Sequence, residues 1–378
     1  MSDIKELQIN ISQTQIDDLK TRLQLARFPE AEVVDDWSQG IPLNYVREVT
    51  DYWLHQYDFR RLANRLNALP NFTTELDGLP IHFLHVRSPE ANAKPMIMTH
   101  GWPGSVVEFL KVIGPLTDPE AHGGDAADAF HLVCPSLPGF GFSGKPTTTG
   151  WGLEKIGAQW AQLMARLGYG SYFAQGGDWG SMVSTSVAVA DPEHCVGIHV
   201  NMAIATPDPE TMGSLTPSEE SALASMKFYQ DWDSGYSKQQ STRPQTIGYS
   251  LVDSPVGQMA WILEKFYAWT DCKGHPENVL TRDEMLDNVM VYWLNAAGAS
   301  SARLYWESFN GGSNDSPITV PFGASVFPHE IFRTSERWLE KRYTNLVYFN
   351  ELETGGHFAA FEQPEAFIGE VRNCFRLF

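Results

Sequence analysis

Cysteine is scarce in this chain. Four residues, Cys134, Cys195, Cys272 and Cys374, are spread over 378 positions, and none belongs to a C-x-x-C pair. That spacing argues against a metal knuckle and a disulfide scaffold, and it suits a reducing compartment. Long apolar runs are missing too, since no stretch approaches the roughly 18 apolar residues of a membrane span. The first residues, M-S-D-I-K-E-L-Q-I-N, lack the basic flank and apolar stretch of a signal peptide. Positive charge is in short supply, with 27 Lys and Arg against 46 Asp and Glu and a net charge of −19. Such a surface repels polyanions, so nucleic acid is not an expected partner. The expectation is a cytoplasmic protein without a membrane anchor, with monomer and homodimer both left open.

What remains is ordinary globular composition, 43% hydrophobic and 19% charged. A chain of this length exceeds the roughly 100 to 200 residues of one domain, which predicts a main domain with an attached segment or insertion. From Ser12, S-Q-T-Q-I-D-D-L-K-T-R-L-Q-L-A-R-F-P sets Ile16, Leu19 and Leu23 on one helical face, with Pro29 as the stop. A second helical stretch is expected between Pro42 and Pro70, followed by a β-hairpin turning at Asp77-Gly78. Short apolar runs with glycine-rich exits begin near 95, 129 and 171, and the stretch from Trp151 to Gly168 between the last two reads as a helix burying Ile156, Trp160 and Leu163. Strand, helix, strand predicts a parallel sheet, with loops for chemistry at the carboxyl ends of the strands. From Pro207 to Asn310 the pattern turns helical, and strand signals return at I-T-V-P-F-G-A-S-V-F and T-N-L-V-Y-F-N. The expected division is an N-terminal helical extension over 1–75, a core over 76–206 and 312–378, and a helical insertion over 207–311.

One acid stands out at positions 174 to 182, A-Q-G-G-D-W-G-S-M. Gly176 and Gly180 frame Asp178 as a sharp strand-to-helix corner would require, because the neighbours of an exposed nucleophile come too close to backbone for a Cβ. Taken alone, the frame fits an attacking carboxylate and a plain helix N-cap equally. The segment T-G-G-H-F-A-A-F-E-Q-P shifts the balance by placing His357 just after the strand Leu346 to Asn350. In doubly wound hydrolases the chain order is nucleophile, acid, histidine, and the acid fixes the imidazole tautomer. Glu330, in F-P-H-E-I-F, fits that place; Glu351 and Glu353 compete but lie too near His357 to reach its ring from a separate loop. In H-G-W-P-G-S, positions 100 to 105, the Trp102 N–H is a candidate donor that, with the Trp179 N–H, would receive a developing oxyanion; a plain tight turn is the alternative.

Taken in order, H-G-W-P, G-G-D-W-G, S-T-R-P-Q-T, S-S-A-R-L-Y-W-E, F-P-H-E and G-G-H-F-A-A resemble the epoxide hydrolases of the α/β-hydrolase fold, in their microsomal-type branch, over nearly the whole chain. The resemblance implies a mostly parallel sheet flanked by helices, a helical cap over the active site, and no metal or organic cofactor. Membrane-bound members begin with an anchoring helix, and nothing here matches one. The implied partners are a small apolar epoxide and water, with Trp102 and Trp179 also lining the substrate site. A carboxylate is a competent nucleophile toward a strained sp³ carbon and would leave an ester on Asp178, which His357 and Glu330 would help water to cleave. Opening the ring also needs an acid that stays protonated at neutral pH, and tyrosine, with a pKa of about 10, qualifies. Composition does not choose among 13 tyrosines; the resemblance implies Tyr236 and Tyr305. A haloalkane or haloacid dehalogenase, which also uses an Asp and a His, is the alternative activity, and a catalytically silent binding protein on the same scaffold is the alternative class.

Overall fold

The computed structural model describes residues 4–310 and 318–378, so the expected boundary at 311–312 lies outside the described residues. The first helix, Gln13–Gln24, opens with a capping box in which Ser12 and Gln15 satisfy each other's backbone amides. It buries Ile16, Leu19 and Leu23 as their spacing requires. It stops well before Pro29 because the apolar stripe leaves the core there, and Leu25 is 74% exposed. The stretch expected between Pro42 and Pro70 is two helices, Leu43–His55 and Arg61–Asn67.

Asp77 and Gly78 both take positive φ, 48° and 79°, the two-residue hairpin geometry whose twist matches the flanking strands. They join β2 (Asn71–Leu76) to β3 (Leu79–Val86). A two-residue strand, β1 (Lys5–Glu6), pairs with β2 and is too short to leave an alternating pattern in the sequence. The remaining strands are β4 (Lys94–Thr99), β5 (Phe130–Pro135), β6 (Tyr172–Gly176), β7 (Cys195–Val200), β8 (Phe322–Val326) and β9 (Leu346–Glu351). Together they form one sheet in the order β1-β2-β3-β5-β4-β6-β7-β8-β9, antiparallel from β1 to β5 and parallel thereafter. The chain leaves β4 toward β5 and leaves β6 toward β7, in opposite directions. That reversal opens a crevice beyond the carboxyl ends of β4 and β6, where open α/β sheets take their ligands. The helix Leu153–Arg166 buries Ile156, Trp160 and Leu163, with Gly168 in the left-handed region just past its end.

Between β7 and β8 a run of helices from Pro217 to Asn310 forms a cap. The N-terminal helices hold this cap through a buried carboxylate, Asp287, on the cap helix Arg282–Leu294. Its oxygens accept from Tyr57 Oη at 2.7 Å, Arg61 Nε at 3.1 Å and Arg65 Nη1 at 2.8 Å. A buried carboxylate is tolerated only with partners of this kind, and losing one of them costs more than the pair contributes net. Tyr45 and Tyr52 add bonds to Glu277 and Asp283. All four cysteines are buried and unpaired.

Candidate active site

The chain leaves β6 at Gly176 and, with only Gly177 and Asp178 between, enters the helix Trp179–Ala190. Asp178 sits at the corner with φ 52° and ψ −131°, a strained backbone for a non-glycine residue and one that clusters at functional sites. Gly180 is obligatory here: a Cβ on it would lie 1.8 Å from the Thr99 carbonyl oxygen. The Asp178 side chain makes no capping bond to its own helix. Its Oδ1 instead accepts the Trp102 backbone N–H at 2.7 Å.

Trp102 lies in the H-G-W-P-G-S loop after β4, and its peptide bond to Pro103 is cis. This loop is braced from several sides. Burial pushes His100 down to about 4, so its ring is neutral at ordinary pH. Its Nε2 accepts the Leu137 N–H, which leaves Nδ1 to donate to the Gly101 carbonyl. From the cap, Asn288 donates to the Pro103 carbonyl at 2.7 Å and Tyr292 to that of Gly104 at 2.8 Å. The Trp102 amide is therefore held rigidly, as a preorganised oxyanion donor must be. The Trp179 amide belongs to the first residue of the following helix.

His357 and Glu330 arrive from the loops after β9 and β8. The imidazole Nε2 stands 3.4 Å from Asp178 Oδ2, and Nδ1 is 2.6 Å from Glu330 Oε1. Burial disfavours the imidazolium, but Glu330 and Asp178 outweigh it and raise His357 well above its usual value. The His357 backbone N–H donates to the Trp269 carbonyl at 2.8 Å, and the Trp269 ring packs against the imidazole with centroids 5.0 Å apart. Glu351 and Glu353 are exposed, and Glu351 accepts from Ser218 instead.

Tyr236 and Tyr305 face the corner from two cap helices, Gly235–Thr242 and Gly298–Asn310. Their rings lie 5.8 Å apart, Tyr236 stacked on Trp102 at 4.8 Å and Tyr305 edge-on to Trp179 at 4.7 Å. The Tyr236 hydroxyl bonds that of Tyr229 at 3.1 Å, while the Tyr305 hydroxyl is buried with no hydrogen-bond partner among the described residues. Burial first, and neighbouring tyrosines and Asp178 after it, raise both phenols well above 10, so both stay protonated. A cavity of about 990 Å³ opens above them, lined by Asp178, Trp179, Tyr236, Tyr305, Phe309 and Phe332 among others.

All seven singled-out residues, Asp178, His357, Glu330, Tyr236, Tyr305, Trp102 and Trp179, thus meet at one end of the sheet. Four near neighbours escaped the sequence reading. Glu108 and Trp269 flank the Asp178–His357 pair. Tyr229 touches Tyr236, and Lys265, paired with Asp233 at 2.9 Å, lies 4.9 Å above the Tyr236 ring. No motif links these positions. Tyr229 lies on a single π-helical turn, Tyr229–Asp233, a form often found at functional sites but without a sequence signature. Among the described residues, no group of three or more His, Cys, Asp or Glu is placed to hold a metal ion, and no helix is long and apolar enough to cross a membrane.

Comparison with known proteins agrees with this geometry. Residues 4–109 match the family described as Epoxide hydrolase N terminus, and residues 94–243 match the alpha/beta hydrolase fold. The chain is 54% identical to a putative epoxide hydrolase of Stigmatella aurantiaca over 99% of its own length and 85% of the relative's. It is 35% identical to epoxide hydrolase 1 of Oryctolagus cuniculus, covering 97% of this chain and 88% of that one. The solved epoxide hydrolase of Aspergillus niger superposes with a TM-score of 0.90 at 33% identity, over 99% of this chain and 96% of that one. These likenesses set aside the dehalogenase and silent-binding alternatives: the chain belongs to the epoxide hydrolases of the α/β-hydrolase fold.

Proposed function

We propose that the enzyme opens its epoxide by attack of the Asp178 carboxylate on a ring carbon, forming an ester that water then cleaves. One observation carries this reading: the Asp178 carboxylate lies between the Trp102 amide, at 2.7 Å, and His357 Nε2, at 3.4 Å, and opens onto the cavity lined by Tyr236 and Tyr305. In the first step a carbon–oxygen bond forms to Asp178 as a ring carbon–oxygen bond breaks, and the alkoxide takes a proton from Tyr236 or Tyr305. Esterification removes the negative charge that helped to hold the proton on His357. The imidazolium then gives up that proton, which in the overall balance restores the tyrosine. Neutral His357, oriented by Glu330, accepts a proton from water as the water oxygen attacks the side-chain carbonyl of Asp178. The Trp102 and Trp179 amides face the oxyanion that develops there. Collapse breaks the bond to the substrate oxygen, which takes the proton back from His357 and leaves as the diol.

The same reading assigns the division of labour. The segment 76–206 with 312–378 supplies nucleophile, base and acid, the cap over 207–311 supplies the proton donors and the apolar enclosure, and 1–75 holds the cap. A cavity of about 990 Å³ suits a bulky apolar epoxide rather than a two- or three-carbon one. Buried, unpaired cysteines fit a reducing compartment such as the cytoplasm. The test is a single turnover in ¹⁸O-water with enzyme in excess. The expected first diol is unlabelled, with the label retained in Asp178; a fully labelled diol from that turnover removes Asp178 as nucleophile.

A further inference from the structure

Asp178 borders two separate spaces. On the cap side is the large cavity; on the core side is a pocket of about 20 Å³ lined by Asp178, His357, Glu108, Asn201, His100 and Thr99 among others. Among the residues lining the two spaces, only Asp178 belongs to both. A pocket of this size accommodates about one water, which needs two to four polar partners to be held there.

Several acceptors on the wall are already committed. The two ring nitrogens of His100 bond Leu137 N–H and the Gly101 carbonyl, the Thr99 hydroxyl accepts Trp160 Nε1, and Asn201 Oδ1 accepts Gln175 Nε2. Glu108 differs. It belongs to the 3-10 turn Val106–Lys111, and its carboxyl folds back against the loop at Gly104, where a Cβ would lie 1.3 Å from Oε1. Glycine at 104 therefore makes room for this acid beside the reacting pair. Among the described residues, the Ser105 backbone amide is the one hydrogen-bonding group that favours the charge on its carboxyl, which leaves acceptor capacity toward the pocket.

We infer that this pocket holds the hydrolytic water and that Glu108 orients it. One hydrogen of the water donates to the Glu108 carboxyl and the other to His357 Nε2, which turns a lone pair toward the side-chain carbon of esterified Asp178. Water thus reaches the ester from the face opposite the substrate. Burial foremost, with the Asp178 charge adding to it against His357, pushes Glu108 up to about 8. A carboxyl keeps an acceptor oxygen in either protonation state, so Glu108 can hold the water whether or not it carries the proton.

This inference rests on the two-step reading and is tested apart from it. Styrene oxide is mixed with excess enzyme, and the Asp178 adduct is followed by mass spectrometry of quenched samples for wild type, His357→Gln, Glu108→Gln and Glu108→Asp. In Glu108→Gln the adduct is expected to form at close to the wild-type rate and to decay about 10- to 100-fold more slowly, the scale of a lost positioning contact. Glu108→Asp, which keeps the carboxyl one methylene further back, recovers part of the decay rate and serves as the reading should Glu108→Gln not fold. Decay at the wild-type rate in both variants, with an adduct trapped in His357→Gln, overturns the role of Glu108 alone. Equal losses in formation and decay also overturn it, since they mark a general effect on the site. Absence of any adduct, in His357→Gln as well, overturns the two-step reading on which it rests.

Discussion

The two faces of Asp178 differ in almost every physical respect. Above it lies a space of about 990 Å³ walled by aromatic rings, and its acids are phenols that burial keeps protonated. Beneath it lies about 20 Å³ walled by ionisable groups, with His357 raised by Glu330 and Asp178 and Glu108 raised chiefly by burial. Ring opening needs an apolar substrate desolvated against a proton donor, whereas ester hydrolysis needs one water beside a base. One environment cannot serve both, because a group that stays protonated to donate is a poor acceptor. Under the proposed mechanism, a single carboxylate between two rooms lets each half-reaction have its own.

Removing the base separates the two rooms most sharply. Under the proposed mechanism His357→Gln still alkylates Asp178 from above but cannot finish below. Steady turnover falls by roughly 10³- to 10⁴-fold, and the protein gains the mass of one substrate. A loss of turnover with no adduct in folded protein places His357 in the first step and erases the distinction. Emptying the upper room of donors gives the opposite signature. Tyr236→Phe with Tyr305→Phe lowers alkylation by roughly 10³-fold, while any ester that forms decays at the wild-type rate. Each single change has a smaller effect, since the remaining hydroxyl covers in part, and additivity of the two in rapid-quench rates would contradict that shared role.

How much of this was legible beforehand varied by residue for physical reasons. The corner at Asp178 could be read because Gly176 and Gly180 are demanded locally: a Cβ on Gly176 would lie 2.1 Å from the Gly180 carbonyl. The parallel core was legible at β4, β5 and β6, which end in glycine-rich exits; β7, followed by N-M-A-I-A-T-P, has no such exit and was not read as a strand. The hairpin was legible because only residues tolerating positive φ fit its turn. Tyr236 and Tyr305 were not legible from pattern, since their meeting depends on how two cap helices cross above the sheet, and only the family resemblance picked them out. Glu108 was silent for a subtler reason. An acid four residues past Gly104 looks like solvent-facing charge, and its partial burial follows from a side chain that position 104 lacks.

A weaker perturbation sharpens the lower room. Glu330 contributes most of what raises His357 above its usual value, so Glu330→Gln lowers that pKa. The ester-decay step needs neutral imidazole, which exists above the pKa. The acid limb of decay against pH therefore moves to lower pH in the variant, while the plateau falls by roughly 10²-fold as the ring loses its orienting partner. A limb that stays in place, measured on pre-formed adduct, assigns that titration to a group other than His357.

The smallest expected effect belongs to Tyr229, on the rim of the upper room. Its hydroxyl bonds that of Tyr236 at 3.1 Å, and either oxygen can be the donor. If Tyr236 gives its proton to the alkoxide, Tyr229 serves to aim it and to donate to the phenolate that forms. A neutral hydrogen bond of this kind contributes about 0.5–1.5 kcal/mol net, so Tyr229→Phe slows alkylation by only about 2- to 13-fold and leaves ester decay alone. Lys265 still lies 4.9 Å from the centroid of the Tyr236 ring, and Trp102 still stacks on it, so the phenol is not set loose. The informative comparison is with Tyr236→Phe under the same conditions. A Tyr229→Phe variant as slow as Tyr236→Phe would transfer the donor's role to Tyr229, with Tyr236 as its support. A change in ester decay instead would mean that the cap reaches the lower room, and that Asp178 does not keep the two apart.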